Sequence, residues 1–120
     1  MEPRITGRRY EGVAIVAAEG RLGLPELPRL ERAVRETRQG LGPRLILDLT
    51  RVRVVDSSVL GLLIRLHLQL RSEGGRLILV NPQPTVQRAL EVTRLNTVLE
   101  VYSTMDQALR AFEEAASQAS

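Results

Sequence analysis

The chain has 120 residues, 43% of them hydrophobic, which fits one small globular domain with a buried core and leaves no room for a second domain. It contains no cysteine and one histidine, so disulfides and thiolate metal sites are excluded and no metal site is expected. The 17 basic residues, all arginine, exceed the 14 acidic residues by only three, and aromatic residues make up 2%, so we expect no nucleic-acid partner.

The first third of the sequence predicts a hairpin followed by a helix. Mixed and apolar runs at residues 4–9 and 13–18 are typical of two strands, and residues 10–12 between them indicate a turn. Apolar side chains then recur at the spacing of a helix that ends at Gly40 and Gly42. These side chains are Leu27, Leu30 and Val34.

The middle third predicts two buried strands on either side of a long helix. The apolar runs at residues 45–47, which end at Asp48, and at residues 77–80 are typical of strands covered on both faces. Residues 58–72 between them predict a helix, and Gly74-Gly75 closes it.

Neither a membrane-spanning segment nor a signal peptide is expected. The longest apolar stretch, residues 52–70, is interrupted by Arg53, Asp56, Arg65 and His67. The first twelve residues lack the apolar core of a signal peptide. We therefore expect a soluble, cytoplasmic protein.

The last third predicts a helix, a short strand and a final helix. Thr85 is placed to cap the first of these helices, and residues 99–102 predict the strand. Ser103, with Asp106 three residues later, has the pattern of a capping box for the last helix. We expect the final AASQAS, residues 115–120, to fray.

The resulting order of elements is β-β-α-β-α-β-α-β-α. Strands and helices that alternate in this way predict an α/β fold. We expect a central mixed sheet of four to five strands with about four helices packed mainly on one side, in a single domain whose core spans about residues 5–112.

Residues 54–61, VVDSSVLG, place an acid and two hydroxyls between apolar runs. Asp and Ser are residue types that accept hydrogen bonds from the free N–H groups at the start of a helix, so they can be caps alone. A serine at a helix start can also be a nucleophile or a phosphate acceptor. The residues by themselves leave both interpretations open.

The segment LILDLTRVRVVDSSVLGLLIRL, residues 45–66, resembles the signature of the STAS domain family, the anti-sigma factor antagonists. In that signature an LDL strand is followed by a short loop, an Asp-Ser-Ser triplet and a glycine-containing helix. Three further segments resemble other parts of the family pattern: EGRLGLPELPRLERAV before the signature, and GGRLILVNPQPTVQRALEVTRL and STMDQAL after it. The likeness extends over about residues 5–112.

The resemblance implies a STAS-like fold and a switch. In the family, the free domain binds an anti-sigma factor that is also a serine kinase of the ATP-binding type, and a sigma factor is released. Phosphorylation of the second serine of the triplet breaks the complex. That serine aligns with Ser58, and Ser57 is the second candidate.

Elementary electrostatics is consistent with this role for Ser58. A phosphoryl group adds roughly 1.5 to 2 negative charges, and the N-terminus of a helix favours an anion through its N–H groups and its dipole. We expect Ser57 to precede the helix and accept a backbone hydrogen bond. We expect Ser58 to lie in the first turn with a free hydroxyl, so that it can be modified without unfolding the domain.

The sequence shows no constellation typical of an enzyme. His67 lies nine residues beyond Ser58 on the same predicted helix, about 13 Å along its axis, too far to take the serine proton. No G-x-S-x-G motif is present, and a chain without lysine cannot form a P-loop. We therefore expect neither catalytic residues nor a cofactor.

The helix after the triplet carries two apolar stripes. Five residues form the stripe expected to face the sheet: Val59, Leu62, Leu63, Leu66 and Leu70. Leu60, Ile64 and Leu68 form a second ridge, which either is covered by a neighbouring element or is exposed for a partner. The predicted partner-binding set is this ridge together with Gly23, Asp56, Ser57, Ser58 and Gly61.

Two positions depart from the family pattern. Gly23 stands where the turn before the first helix usually ends in an acid, and Val59 stands where a small residue is commonest. An alternative is therefore a STAS domain that binds without being phosphorylated, as a scaffold in a stress-signalling assembly or a small subunit of a lipid-transport ATPase. A stand-alone nucleotide-binding protein or enzyme is a third class. We expect a monomer or a weak dimer.

Overall fold

The computed structural model describes the backbone of residues 4–119 and the side chains of residues 4–114. Its elements follow the predicted order: β1 (Ile5–Tyr10), β2 (Val13–Leu22), α1 (Leu27–Arg38), β3 (Arg44–Val55), α2 (Ser57–Ser72), β4 (Arg76–Val80), α3 (Pro84–Val92), β5 (Glu100–Tyr102) and α4 (Met105–Ala119). Short 3₁₀ turns at Leu24–Glu26 and Leu95–Thr97 precede α1 and β5. Ser120, the last residue of the tail expected to fray, lies outside the described residues, and the fraying stays a prediction.

The five strands form one mixed sheet in the order β1-β2-β3-β4-β5. β1 pairs antiparallel with β2 through a tight turn, in which Glu11 and Gly12 both have positive φ, as a primed hairpin turn requires. The other neighbouring strands are parallel. Strands β2, β3 and β4 therefore end at the same edge of the sheet, which we call the carboxyl edge.

Each face of the sheet has its own core. The larger core lies under α1, α2 and α3 and includes Leu30, Leu63 and Leu90 from these helices. On the opposite face α4 packs through Ala108, Ala111 and Phe112 on alternate strand residues. These strand residues are Val13, Ile15, Ile46, Ile78 and Val80. The prediction of a mixed sheet with helices mainly on one side is confirmed.

β3 is much longer than the predicted strand at residues 45–48. It continues to Val55 and remains paired with β2 as far as Leu22, although β4 pairs only with residues 44–48 of β3. The short loop expected from the family signature is therefore strand here. Residues 51–54, Arg-Val-Arg-Val, alternate polar and apolar side chains as a half-exposed strand does. This alternation indicates that the strand continues beyond its purely apolar residues.

Two helix starts differ from the prediction, that of α3 by two residues and that of α4 by one. α3 begins at Pro84, so Thr85 does not cap it. The start of α4 is capped by Thr104, whose Oγ1 accepts a hydrogen bond from Gln107 N at 3.2 Å, while Gln107 Oε1 accepts one from Thr104 N at 3.3 Å. Glutamine reaches back to the cap more readily than the shorter aspartate, so the capping box falls one residue after the predicted Ser103.

We expect Gly75→Ala to destabilise the fold where β3 and β4 begin. A Cβ at Gly75 would lie 1.8 Å from the carbonyl oxygen of Pro43, and overpacking of this kind costs about 1 to 3 kcal/mol. Gly42→Ala is the matched control because a Cβ at Gly42 has no neighbour within 4 Å. We expect it to change stability by less than about 0.5 kcal/mol. Urea denaturation measures both, and equal losses would contradict the close approach.

Candidate functional site

Asp56 caps α2 at the carboxyl edge of the sheet. Its backbone is extended (φ −103°, ψ 179°), as is usual at this position. Its Oδ1 accepts hydrogen bonds from the backbone N–H groups of Ser58 (3.0 Å) and Val59 (3.2 Å). Its carbonyl oxygen accepts the N–H of Leu60 at 3.2 Å. One residue thus satisfies three N–H groups in the first turn of the helix.

Asp56 also connects α2 to the turn before α1. Its Oδ2 accepts the backbone N–H of Leu24 at 3.0 Å, and its own N–H donates to the carbonyl of Leu22 at 3.2 Å. A Cβ at Gly23 would lie 2.7 Å from Oδ2. The glycine at this position therefore lets the carboxylate approach the turn, which Glu26 closes by accepting the N–H of Gly23 at 2.8 Å.

The pKa of the Asp56 carboxyl group lies below its ordinary value. The largest cause is the hydrogen bond that it accepts from the Ser58 hydroxyl, and the weaker effect of desolvation acts in the opposite direction. The backbone N–H groups of Val59, Leu24 and Ser58 lower the pKa further. The ionised carboxylate is therefore the form that holds the cap and the turn.

The two serines do not have the capping and hydroxyl geometry predicted for them. Ser57 does not precede α2 but is its first residue, is exposed, and leaves the capping role to Asp56. Ser58 lies in the first turn as predicted and is half-buried, but its hydroxyl is not free, because it donates to Asp56 Oδ1 at 2.5 Å. An aspartate at the cap position reaches both the N–H and the hydroxyl of the residue two places on, which explains the difference.

The outer face of α2 continues from the serines toward the other end of the helix. Ser57, Gly61, Ile64 and Leu68 share this face at helical spacing, and Leu68 is 60% exposed. Gly61 and Ile64 are half-buried. Of the two possibilities left open for the ridge, burial applies at Leu60, which is 9% exposed and packs in the larger core on the flank of the apolar stripe. The five stripe residues are buried as predicted.

Leu24 is the part of the site that the sequence analysis missed. It is 65% exposed although it is apolar, and its backbone is fixed beside Asp56 by the hydrogen bond to Oδ2. The available signal was a leucine between Gly23 and Pro25 that belongs to no helical stripe. We call Leu24, Asp56, Ser57 and Ser58 together the cap surface. The structure brings Gly23 to this surface and leaves Leu68 farther along α2.

The rest of the described chain offers other surfaces but no metal centre. Among residues 4–114 no cluster of His, Asp and Glu could hold a metal ion. A groove of about 670 Å³ lies between α1 and α2 and is lined by charged, amide and apolar side chains, including Glu31, Arg35 and Leu66. None of the helices within residues 4–119 is long and apolar enough to cross a membrane.

Comparison with known families identifies the domain. The model of the STAS domain matches residues 4–108, which includes every strand and the whole cap surface. The chain belongs to the STAS domain family. The family expected from the LDL strand and the Asp-Ser-Ser triplet is thereby confirmed.

Several relatives of this STAS domain are described as anti-sigma factor antagonists. A Thermotoga neapolitana protein with that provisional name is 33% identical over 66 residues, which are 55% of this chain and 58% of the relative, less than two thirds of its length. The crystal structure of an anti-sigma factor antagonist from Mycobacterium paratuberculosis has a TM-score of 0.81 at 27% identity, covering 92% of this chain and 93% of that one. SpoIIAA in its unphosphorylated form has a TM-score of 0.78 at 21% identity, covering 92% and 97% of the two chains. The likeness to SpoIIAA shows the fold alone.

We expect Asp56→Ala to destabilise the STAS domain in a pH-dependent way. The substitution removes the acceptor of the cap and of the Leu24 turn, so stability falls at neutral pH. Because the pKa of Asp56 is lowered in the folded state, its contribution is present above the unfolded pKa of about 3.9 and is lost as the pH falls through the lower folded pKa. The difference in unfolding free energy between parent and variant should therefore shrink below about pH 4.

The matched control for this substitution is Ser57→Ala. Ser57 is exposed and is not the cap, so we expect a change within about 0.5 kcal/mol at every pH. Urea titrations of all three proteins from neutral to acidic pH measure both effects. If the difference in unfolding free energy between the parent and Asp56→Ala did not depend on pH, a role for the ionised carboxylate would be excluded.

Proposed function

We propose that this STAS domain is an anti-sigma factor antagonist, a cytoplasmic regulatory protein that binds an anti-sigma factor and so frees a sigma factor. The observation that carries the proposal is the cap surface, where exposed Leu24 and Ser57 adjoin Ser58 of the family triplet. The relatives from Thermotoga neapolitana and Mycobacterium paratuberculosis support it by the description that they carry. In this function the domain supplies a binding surface, not a catalytic centre.

We further propose that the partner is a serine kinase of the ATP-binding type, which phosphorylates Ser58 and thereby ends the complex. The added charge, roughly −1.5 to −2, would lie beside the Asp56 carboxylate in a surface that a bound partner must desolvate. Binding is then lost for steric and electrostatic reasons, without a change of fold. The structure of SpoIIAA, which has the same fold, is described as that of its unphosphorylated form.

One observation favours a second function. Ser58 is half-buried and its hydroxyl donates a hydrogen bond to Asp56, so the hydroxyl has a structural role without any modification. A STAS domain that is not switched, such as a scaffold in a stress-signalling assembly or a subunit of a lipid-transport ATPase, would use the same cap surface with Ser58 unmodified. Phosphorylation of Ser58 is therefore the point at which the two functions differ.

We expect substitutions of Ser58 to separate binding from switching. Ser58→Ala should bind the anti-sigma factor but gain no phosphate, so ATP no longer ends the complex. Ser58→Asp should bind at least roughly 30-fold more weakly, because an unpaired charge in a desolvated interface costs about 2 to 5 kcal/mol. Ser57→Ala is the control and should keep both binding and switching. Calorimetry and intact mass after incubation with the partner and ATP measure these outcomes.

The same experiment distinguishes the two proposed functions. A phosphate on Ser58→Ala would show that another residue is the acceptor. A parent protein that binds tightly but gains no phosphate would replace the switch with the scaffold.

We expect Leu24 to contribute more to partner binding than an equally exposed residue elsewhere. Leu24→Asp should weaken binding roughly 30-fold or more, since the new carboxylate is desolvated in the complex. Leu68→Asp should weaken it less, because Leu68 lies about 15 Å from Ser58 along α2. Both variants should keep a melting temperature close to that of the parent, since the side chains of Leu24 and Leu68 are largely exposed.

Val92→Asp is the matched control for both substitutions. Val92 is 71% exposed and ends α3, and a helix that begins at the carboxyl edge ends at the opposite edge of the sheet. The affinity of the Val92→Asp variant for the partner should stay within about twofold of that of the parent. An equal loss of affinity at Val92 would show that the effect of charge is not confined to the cap surface.

A further inference from the structure

The N-terminus of α2 is already occupied by Asp56. Its Oδ1 accepts the N–H groups of Ser58 and Val59, and its carbonyl oxygen accepts that of Leu60. A phosphate on Ser58 therefore does not find the N–H groups of Ser58 and Val59 free to bind it, as N–H groups at a helix start otherwise can. The expectation that the helix would accommodate the phosphate through these groups is not met by the geometry.

Phosphorylation changes the contact between Ser58 and Asp56 from attractive to repulsive. Transfer from ATP forms the bond between Ser58 Oγ and phosphorus, breaks the bond to the ADP leaving group, and releases the hydroxyl proton to solvent. The Oγ atom then has no hydrogen to donate across the 2.5 Å contact with Asp56 Oδ1. An ester oxygen and a phosphate of charge roughly −1.5 to −2 face a carboxylate instead.

The side chain that gives way is Ser58, not Asp56. Asp56 is held at both carboxylate oxygens by the backbone N–H groups of Ser58, Val59 and Leu24. The Ser58 side chain is held by its hydroxyl hydrogen bond, which phosphorylation removes, and it can rotate about a single bond. The phosphate therefore turns away from the helix end and toward solvent.

We propose that Asp56 is a positioning residue for the phosphorylated state, which keeps the phosphate of Ser58 off the N–H groups of Ser58 and Val59 and directs it outward from the cap surface. The inference rests on the proposed function only in taking Ser58 as the phosphate acceptor. Its consequence is that the helix does not neutralise the new charge. The partner meets the full charge of the phosphate, which makes a single modification sufficient to end binding.

The test uses protein with phosphoserine encoded genetically at position 58, so that no kinase is needed. It compares the parent with Asp56→Gly and Asp56→Asn. Glycine is tolerated as a helix cap and leaves the N–H groups free, whereas asparagine retains an acceptor oxygen without the charge. Each protein is prepared with and without the phosphate, and the melting temperature and the amide proton shifts of Ser58 and Val59 are measured.

In the parent, the phosphate should lower the melting temperature and leave both amide protons near their unmodified shifts. In Asp56→Gly it should raise the melting temperature and move both amide protons downfield, because the phosphate now caps the helix. In Asp56→Asn the amide protons should stay in place and the loss of melting temperature should be smaller than in the parent. Downfield shifts or a rise in melting temperature in the phosphorylated parent would overturn the proposal.

Partner affinity gives a second readout. The ratio of affinities with and without phosphate should be smaller for Asp56→Gly than for the parent, and equal ratios would contradict the role of Asp56. Because the phosphate is installed without the kinase, failure here leaves the proposed switch intact. Conversely, if the natural protein is never phosphorylated, the proposed switch is wrong, but the effect of Asp56 on the encoded phosphate is still measured.

Discussion

One carboxylate holds together the end of the molecule at which the Asp-Ser-Ser triplet lies. Asp56 accepts hydrogen bonds from its own helix and from Leu24, a residue 32 positions earlier in the chain. The turn before α1 and the start of α2 are therefore fixed relative to each other. This contact needs Gly23, since a larger residue would displace the oxygen that reaches Leu24. An exposed leucine and two serines thus form one continuous surface.

The topology of the sheet explains why two distant segments meet at Asp56. Parallel strands end at a common edge, and the helix that follows each strand starts there. The extension of β3 to Val55, level with Leu22 at the end of β2, carries Asp56 to the turn that it caps. A strand that ended at Asp48 would leave a loop in this place. The strand instead places the Asp56 carboxylate within hydrogen-bonding distance of the Leu24 N–H.

Burial patterns in the sequence predicted the elements well, and hydrogen bonds decided the details that they missed. The stripe from Val59 to Leu70 specifies the buried face of α2, because core residues recur every three or four positions. The same pattern cannot distinguish the flank of that face from its exterior, which is why the sequence left open whether Leu60 is covered or exposed. The roles of Ser57 and Ser58 depend on where one aspartate directs its oxygens. The position of Leu24 beside Asp56 depends on a tertiary contact that no local pattern encodes.

The hairpin turn at Glu11 and Gly12 lies at the edge of the sheet opposite the cap surface, since β2 begins beside it and ends at the carboxyl edge. Both turn residues are exposed and belong to neither core. Exposed loop tips of this kind tolerate insertions. A fluorophore or a fused domain can therefore be attached at this turn while the surface around Leu24 stays open, which provides a handle for immobilising the protein in a defined orientation.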